Sequence, residues 1–229
     1  MASTRDWFES VAEARRRARR RLPRSVFLAI EAGAEAGVTR ADNVAAFREI
    51  RFAPPRAAGL PAERDLRTSV LGVDIALPVI ASPVGVQAVH PLGEVAVAMG
   101  TGDAGTALGL SEFASKPVAD VARVNPDVFF QVHWSADRET LLDRALRARK
   151  AGAKALIVTL DWSFPGGRDW GSPAIPERLD VPTVLRYAPQ VVSRPRYLAG
   201  WLRSGRLPDL TVPNFAAPGE PAGSPVRLA

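Results

Sequence analysis

Two short apolar runs of the sequence end in polar residues of the types that bind ligands. Gln131 and His133 end the run that starts at Val128, and Thr159 and Asp161 end the run that starts at Ala155. Because residues two apart on a β-strand point to the same face, each pair is able to address one ligand. An amide, a hydroxyl, a carboxylate and an imidazole are then available for hydrogen bonding or proton transfer.

Two earlier segments end in the same way. Ser82-Pro83-Val84-Gly85 follows the apolar run Val79–Ala81, and Ser111 follows the run Thr106–Leu110. In α/β folds the ligand binds at the carboxyl ends of parallel strands, where such groups meet. The sequence therefore predicts one ligand site at these strand ends.

Two interpretations stay open for His133, a ligand-binding histidine and a partly buried, hydrogen-bonded one. His90 precedes Pro91, which is typical of the first position of a helix, so we interpret His90 as a loop or capping residue. The loop that carries Arg168 also contains Trp162 and Trp170. This loop either closes on an anionic or aromatic ligand or packs on itself as an Ω-loop.

The composition argues against several other kinds of site. The chain has no cysteine and only two histidines, so disulfides are excluded and no metal site is predicted. The string Gly100-Thr101-Gly102-Asp103-Ala104-Gly105 matches a dinucleotide fingerprint. It follows a predicted helix and precedes a predicted strand, which is the reverse of the required order, so we interpret it as the exit of a helix.

The net charge of +6 is concentrated in the segment Arg15–Arg21. A nucleic-acid surface is one interpretation, but Val11, Ala14, Ala18 and Leu22 recur at helical spacing and favour an amphipathic helix with a solvated basic face. No segment has the apolar length of a signal peptide or of a span of about 20 residues. We therefore expect a cytoplasmic protein without a transmembrane segment or a nucleic-acid partner.

The residues that precede and position these groups alternate between strand and helix patterns, which is typical of a parallel sheet covered by helices. Three helices are predicted first, followed by a hairpin at Thr68–Ile75. The later strands and helices are predicted, in chain order, at Pro78–Ser82, Gly93–Ala98, Thr106–Leu110, Pro117–Val124, Val128–Trp134, Asp137–Ala151, Ala155–Leu160, Val181–Tyr187 and Arg194–Arg203. The predicted strands at Val79 and Ala155 are apolar throughout, as expected of strands buried on both faces.

Several strings together resemble the FMN-dependent 2-hydroxy-acid dehydrogenase family, and within it the branch found with mycofactocin biosynthesis. The strings that carry the family resemblance are Leu22-Pro23, Asp42-Asn43 through Phe47, His90-Pro91-Leu92-Gly93-Glu94, Leu110-Ser111, Phe129-Phe130-Gln131 and Ala151-Gly152-Ala153-Lys154-Ala155. Those that carry the branch are Val158–Phe164, Gly167–Pro173 and Asp209–Asn214.

The resemblance implies an α/β fold, a TIM (β/α)8 barrel, here an incomplete half barrel of about four βα units behind an N-terminal helical cap. We expect the cap at residues 1–53, the half barrel at 54–212 and an irregular tail at 213–229. The implied cofactor is flavin mononucleotide (FMN). Pro83, Val84 and Gly85 would lie against its ring, with Ser111, Gln131 and Thr159 at the polar edge, and His133 and Arg168 would contact substrate.

The resemblance further implies an oxidoreductase in which hydride passes to the flavin. In the mycofactocin branch the substrate is an amine on a tyrosine-derived peptide lactam, which is oxidatively deaminated. The catalytic histidine base of the family is expected in a second half of the barrel, so no catalytic residue is assigned here. The alternatives are an L-lactate or other 2-hydroxy-acid dehydrogenase or oxidase, and a non-catalytic half-barrel fragment that acts only by assembly.

The expected substrate is a small molecule or a modified peptide. A half barrel leaves strand edges and an apolar face uncovered, which favours association. We therefore expect a homo-oligomer or another assembly through the exposed barrel edges.

Overall fold

The computed structural model describes residues 10–31, 33–53, 59, 63–85, 87–161, 167, 169, 180–206, 208–216 and 223. The chain consists of two compact units. One unit comprises Met1–Arg51 and Gly166–Leu207, and the other comprises Phe52–Pro165 and Pro208–Ala229. The predicted domain boundaries at residues 53 and 212 stay a prediction.

The second unit contains a parallel sheet of three strands, β3 (Leu108–Ser111), β4 (Val128–His133) and β5 (Ala155–Thr159), in the order β3-β4-β5. Three helices accompany the sheet: α4 (Glu94–Asp103), α5 (Val118–Val124) and α6 (Arg138–Lys150). The predicted alternation of strand and helix is therefore confirmed for this part of the chain. The helix between two strands brings the chain back to the end of the sheet where the first strand began, so the next strand runs parallel to it.

The two faces of the central strand β4 pack against different partners. Phe130 and Val132 are buried in a cluster with residues of β3, α4, α5 and α6. Phe129 packs instead with Val73 and Ile75 of an antiparallel hairpin. Since residues alternate between the faces of a strand, Gln131 and His133 lie on the same side as Phe129.

That hairpin was predicted at Thr68–Ile75 and is confirmed. It consists of β1 (Thr68–Val70) and β2 (Val73–Ile75), with Thr68 opposite Ile75. Leu71 and Gly72, the two residues of the turn, both have positive φ angles, 53° and 78°. This is the backbone conformation that two-residue hairpin turns favour, because it matches the twist of the strands.

The first predicted strand of the parallel sheet is wrong in extent. Of Pro78–Ser82, only Ala81 pairs with the sheet, in an isolated parallel bridge to Leu108. The predicted burial of both apolar runs is also wrong: Val79 is 58% exposed, and on β5 Leu156 and Val158 are 45% and 44% exposed. Residues at the edge of a sheet lack a neighbouring strand or helix on one side, so their apolar pattern alone does not bury them.

Helix α4 is longer than predicted, because it continues through Gly100 and Gly102 to Asp103. The fingerprint-like glycine string therefore begins inside the helix, and its last residues leave it. Gly105 has a φ of 66°, and the backbone N–H of Thr106 donates to the carbonyl of Thr101 at 2.9 Å. Its place after a helix and before β3 agrees with our interpretation of a helix exit.

The first unit contains five helices among its described residues: α1 (Val11–Arg21), α2 (Arg24–Glu31), α3 (Val38–Ala46), α7 (Val181–Val192) and α8 (Pro195–Ser204). Arg15 pairs with Glu31, and Arg16 and Arg17 pair with Glu13. Val11 is 84% exposed, so the predicted apolar face of α1 is shorter than its sequence pattern indicates. Helix α7 continues past its predicted end at Tyr187 and contains Pro189.

Within the part of the chain that the structure describes, no helix combines the length and the apolar character needed to cross a membrane.

Candidate functional site

Three predicted ligand groups lie together at the carboxyl ends of the parallel strands. The backbone register places Ser111 of β3 beside Gln131 of β4. The side-chain amide of Gln131 donates to the hydroxyl of Thr159 at 2.8 Å, which joins β4 to β5. The hydroxyl of Ser111 accepts from the backbone N–H of Phe113 at 3.2 Å. The carboxyl ends of the three strands therefore present hydroxyl and amide groups that are already oriented.

The segment Pro83–Gly85 lies beside β3 and depends on a glycine of that strand. A Cβ atom on Gly109 would be 2.6 Å from Cδ of Pro83, which is closer than real Cβ contacts. The absence of a side chain at Gly109 therefore lets Pro83 lie directly on the strand. A Cβ atom on Gly85 would be 3.0 Å from Cβ of Phe113, so Gly85 lies close to Phe113 as well. Val84, between them, is 55% exposed.

A buried carboxylate holds this region in place. Glu94, in the first turn of α4, is 1% exposed and accepts the backbone N–H of Gln87 at 2.9 Å. It also accepts the backbone N–H of Ser115 at 3.0 Å and the Ser115 hydroxyl at 2.8 Å. Gly93 has a φ of 51°, and a Cβ there would be 3.0 Å from the Ser115 hydroxyl. The string His90–Glu94 thus ties the segment after Gly85 to the segment after β3.

His133 is buried at the end of β4 and bound to a carboxylate that the sequence analysis missed. Glu112, directly after β3, has no exposed side-chain surface. Its Oε1 accepts the backbone N–H of His133 at 2.6 Å and lies 2.8 Å from Nδ1 of the imidazole. The Phe113 ring lies on the imidazole at 5.0 Å between centroids. The interpretation of His133 as a hydrogen-bonded, buried histidine is therefore confirmed in part, and its ligand role stays a prediction.

The same carboxylate joins α6 to the sheet. Oε2 of Glu112 accepts from Nη1 of Arg144 at 3.0 Å, and the guanidinium of Arg144 lies 3.6 Å from the centroid of the Phe215 ring. Phe215 in turn stacks on Phe113 at 5.2 Å. Glu112, His133, Phe113, Phe215 and Arg144 therefore form a closed ring of contacts, which we call the Glu112 network.

The segment that includes Phe215 is fixed by Asn214. Its Oδ1 accepts the backbone N–H of Val118 at 3.0 Å, and its Nδ2 donates to the carbonyl of Lys116 at 2.9 Å. Val118 is the first residue of α5, so Asn214 satisfies a free helix N–H from a distant part of the chain. The string Asp209–Asn214 was recognised only by resemblance, and its capping role was not predicted.

Helix α6, which follows the site strand β4, begins at an acidic cap. The Asp137 carboxylate accepts the backbone N–H and the hydroxyl of Thr140, at 2.9 and 2.8 Å. These donors favour the charged form and lower the pKa of Asp137, with the backbone N–H of Thr140 as the largest cause.

The remaining predicted residues lie elsewhere or are not described. Arg168 lies outside the described residues, as do Trp162 and Trp170, so the predicted loop contact stays a prediction. His90 is exposed, and its Nδ1 accepts the backbone N–H of Leu92 at 3.2 Å, which agrees with a loop role.

Glu112 was missed because its function depends on contacts with β4 and α6, which a local pattern does not contain. A signal was present nonetheless. A glutamate in a run of small and apolar residues, directly after the buried strand Leu108–Ser111, predicts a buried charge that needs a cationic partner.

Comparison with known proteins agrees with the geometry. The profile of a family described as FMN-dependent dehydrogenase matches residues 18–217. Pre-mycofactocin synthase of Mycolicibacterium smegmatis is 54% identical over 214 residues, which are 93% of this chain and 53% of that protein. Glycolate oxidase of Spinacia oleracea is 35% identical over 154 residues, covering 66% of this chain and 42% of that protein.

Among solved structures, a crystal structure of (S)-mandelate dehydrogenase, described as a monotopic membrane protein, superposes with a TM-score of 0.78 at 26% identity. The superposition covers 94% of this chain and 57% of that one. The chain therefore spans about half the length of the relatives that it matches.

Proposed function

Because the chain belongs to the FMN-dependent dehydrogenase family, we propose that it supplies the flavin-ring site of an FMN-dependent oxidoreductase. Its parallel sheet and helices are part of the (β/α)8 barrel of that family, as predicted. The observation that carries the proposal is the hydrogen bond from Gln131 to Thr159 at the strand ends, beside Ser111.

The residues present fit a flavin. The edge of the isoalloxazine ring carries both hydrogen-bond donors and acceptors, and the amide of Gln131 and the hydroxyls of Ser111 and Thr159 supply both kinds of partner. The segment Pro83–Gly85 supplies apolar groups, with Pro83 close to Gly109 and Gly85 close to Phe113. When bound, FMN supplies the acceptor for the hydride of the substrate.

In this proposal the chain's own residues bind and orient. Ser111, Gln131 and Thr159 hold the polar edge of the ring, and Pro83, Val84 and Gly85 support its face. His133 contacts substrate from the end of β4, and Arg168 contributes a cationic contact from the following loop. Proton removal by a positioned base is assigned to none of these residues.

We further propose the reaction of the mycofactocin branch, oxidative deamination of the amine on a tyrosine-derived peptide lactam. The 54% identity to pre-mycofactocin synthase supports this substrate over others. A 2-hydroxy acid is the second candidate, and the 35% identity to glycolate oxidase favours it. A cytoplasmic location, a small-molecule or modified-peptide substrate and assembly through the barrel edges complete the proposal, without a nucleic-acid partner.

Titration of the purified chain with FMN, followed by quenching of flavin fluorescence, tests the ring site. Thr159→Val keeps the shape of the side chain and removes the hydroxyl that Gln131 binds. One lost hydrogen bond of about 0.5–1.5 kcal/mol weakens FMN binding about 2- to 13-fold. Thr140→Val on α6 is the control and leaves the affinity unchanged. Absence of FMN binding by the unmodified chain would contradict the proposal and favour a non-catalytic assembly fragment.

The two substrate candidates differ in the group that donates electrons. Reduction of the bound flavin is measured as the loss of its visible absorbance. Reduction by an α-amino lactam, but not by L-lactate or glycolate, supports the mycofactocin-type reaction. The reverse preference supports a 2-hydroxy-acid dehydrogenase.

A further inference from the structure

Helix α7 presents a polar side to its neighbour and an apolar side to solvent. Thr183 and Gln190 are partly buried, and Oε1 of Gln190 accepts the backbone N–H of Ser25 of α2 at 2.9 Å. The opposite side carries four aliphatic residues, which we call the α7 stripe: Val181, Val184, Leu185 and Val192. A surface helix that packs on a protein core normally has the reverse arrangement.

The α7 stripe is continuous and exposed. Because an α-helix turns by about 100° per residue, the four side chains fall within an arc of about 100° on one side of the helix. Val181 and Leu185 are 73% and 69% exposed, and Val192, at the end of the helix, is 65% exposed. A contiguous exposed row of apolar side chains is typical of a surface that binds a partner.

A cleft of about 490 Å³ lies where α7 ends. It is lined by the second half of α1 and by the connection Ser193–Arg196 between α7 and α8, and none of its described lining residues is acidic. Five of them are arginines: Arg17, Arg20, Arg21, Arg194 and Arg196.

Three of these arginines have guanidinium groups left for an external ligand. Arg17 and Arg194 have partners in the chain, the carboxylate of Glu13 and the carbonyl of Leu22. The other three, at positions 20, 21 and 196, form no hydrogen bond or ion pair with any residue that the structure describes. Guanidinium groups bind phosphate well, because their planar donors match its oxygens. The cleft therefore fits a phosphate-bearing partner.

The two features adjoin, because Val192, the last residue of the α7 stripe, directly precedes Ser193 of the cleft. We propose that the α7 stripe and the arginine cleft together bind the surface of an anionic lipid bilayer. The stripe enters the boundary between headgroups and acyl chains, and the guanidinium groups of Arg20, Arg21 and Arg196 bind lipid phosphates. This surface lies in the first unit, whereas the strand ends lie in the second, so the inference goes beyond the proposed function.

The combination of charge and apolar surface favours a bilayer over other partners. A small phosphate ligand accounts for the arginines and leaves the α7 stripe uncovered. A nucleic acid also offers phosphates, but its bases stack on aromatic side chains, and the stripe is aliphatic. An anionic bilayer presents phosphates and hydrocarbon within a depth of about 5–10 Å, which matches both features at once.

This mode of binding needs no helix that crosses the membrane. An interfacial helix lies in the plane of the bilayer, with its apolar side inward and its arginines at the headgroups. Cytoplasmic leaflets carry anionic lipids, so the surface is consistent with the proposed cytoplasmic location. Binding through one short helix and a few arginines is expected to be reversible and to weaken with salt.

Flotation of the full chain with lipid vesicles tests the proposal, because it separates vesicle-bound protein from aggregates. One set of vesicles contains phosphatidylcholine alone, and the other contains phosphatidylcholine and phosphatidylglycerol in equal parts. We expect binding to the anionic vesicles, a large decrease in that binding at high salt, and little binding to phosphatidylcholine alone. Equal binding to both sets, or to neither, overturns the proposal.

A matched pair of substitutions tests the arginine cleft. Arg20→Gln removes one charge from the cleft and should weaken binding to the anionic vesicles about 5-fold, the contribution of one arginine near such a surface. Arg149→Gln removes an exposed arginine of α6 and should leave the affinity unchanged. Both variants have the same net charge, so equal effects would show that charge alone determines binding and would overturn the role of the cleft.

A second pair tests the α7 stripe. Leu185→Asn removes an exposed apolar side chain without adding a charge, and we expect roughly 10-fold weaker binding to the anionic vesicles. Leu146→Asn on α6, where the leucine is also exposed, is the control and should have no effect. Unchanged affinity of Leu185→Asn overturns the role of the stripe.

Two further outcomes identify another partner and overturn the proposal. Leu185→Asn lowers the apparent mass of the lipid-free chain in sedimentation velocity if the α7 stripe is a contact between copies. A short DNA duplex binds more tightly than the anionic vesicles at equal salt concentration if the cleft is a nucleic-acid surface. All these measurements are made without flavin, so their failure is distinguishable from a failure of FMN binding.

Discussion

Nδ1 of His133 lies 2.8 Å from the carboxylate of Glu112, which is fully buried and also binds Arg144. Three elements, β3, β4 and α6, therefore meet at one carboxylate. A buried charge is tolerated when it is paired and hydrogen-bonded, and its partners become costly to remove. The position of the site histidine and the stability of the sheet thus depend on the same contacts.

Removal of the Arg144 guanidinium tests how much the Glu112 network contributes to the free energy of unfolding. Arg144→Met keeps an apolar stem and removes the guanidinium, which leaves the Glu112 charge buried with less compensation. We expect a loss of about 3–5 kcal/mol in the free energy of unfolding, measured by urea denaturation. Arg147→Met on the same helix removes a half-exposed pair with Asp143 and costs less than about 1 kcal/mol. Equal losses in the two variants would show that burial of the pair is irrelevant.

We predict that Pro83 can lie against β3 only if residue 109 is a glycine. Gly109→Ala places a Cβ atom 2.6 Å from Pro83, so the segment Pro83–Gly85 has to move away from the strand. We expect weaker FMN binding and a less stable fold. Gly100→Ala is the control, since nothing lies within 4 Å of its Cβ position and the helix gains up to about 1 kcal/mol. Unchanged FMN affinity in Gly109→Ala would count against a role of Pro83–Gly85 in the ring site.

The carboxylate of Glu94 is predicted to hold two loops together. Glu94→Ala leaves the buried N–H of Ser115 and the part-buried N–H of Gln87 without their acceptor, at a cost of about 1–3 kcal/mol for the buried group and less for the other. Hydrogen exchange monitored by NMR should show faster exchange at these two amides than at Thr106, whose N–H bonds to Thr101. Glu94→Gln retains one acceptor oxygen and should have a smaller effect. Uniformly faster exchange would indicate global destabilisation instead.

The cap of α6 gives a pH-dependent contribution to stability. Because hydrogen bonds from Thr140 lower the pKa of Asp137 in the folded chain, the cap stabilises the fold above the ordinary aspartate pKa of 3.8. That contribution is lost as the pH falls below 3.8 toward the lower folded-state value. Asp137→Asn keeps an acceptor oxygen without the titration. The difference in unfolding free energy between the two proteins should therefore shrink on acidification, and a constant difference would contradict the assignment.

The exposed face of β5 is predicted to promote self-association. Leu156 and Val158 are both nearly half exposed on one side of this strand, which pairs with β4 alone in the described part of the chain. Val158→Lys places a charge on that face and should lower the apparent mass in sedimentation velocity at a given concentration. Leu146→Lys on α6, where the leucine is 60% exposed, serves as the control. A monomer in the unmodified chain would exclude association through this face.

Strands β3 and β4 were predictable because each is a short apolar run followed by a helix with clear limits. The predicted strand at Val128 and the helix at Asp137 agree with β4 and α6 to within one residue. The strand at Pro78 was not predictable in this way. Its apolar residues satisfy the local pattern, but the number of pairs it forms depends on neighbours that are distant in sequence.

The candidate site was predictable only as a set of strand ends. Gln131 and Thr159 were both predicted at the ends of neighbouring strands, but their hydrogen bond was not predicted, because it is diagonal and the register places Thr159 opposite His133. The contacts of Glu112 do not follow from spacing, because they join residues 21 and 32 positions apart through the packing of α6. Long side chains of this kind choose among several partners, and the fold determines which one is within reach.

The cap that Asn214 places on α5 has a consequence for the order of events during synthesis. The residues that form this contact, Val118 and Asn214, are 96 positions apart. At about 5–20 residues per second, the start of α5 is synthesised roughly 5–20 s before its capping residue. During that interval the start of α5 lacks its partner, and Phe215 is not yet present to cover Arg144. The Glu112 network is therefore completed late, after most of the sheet that it supports has already been translated.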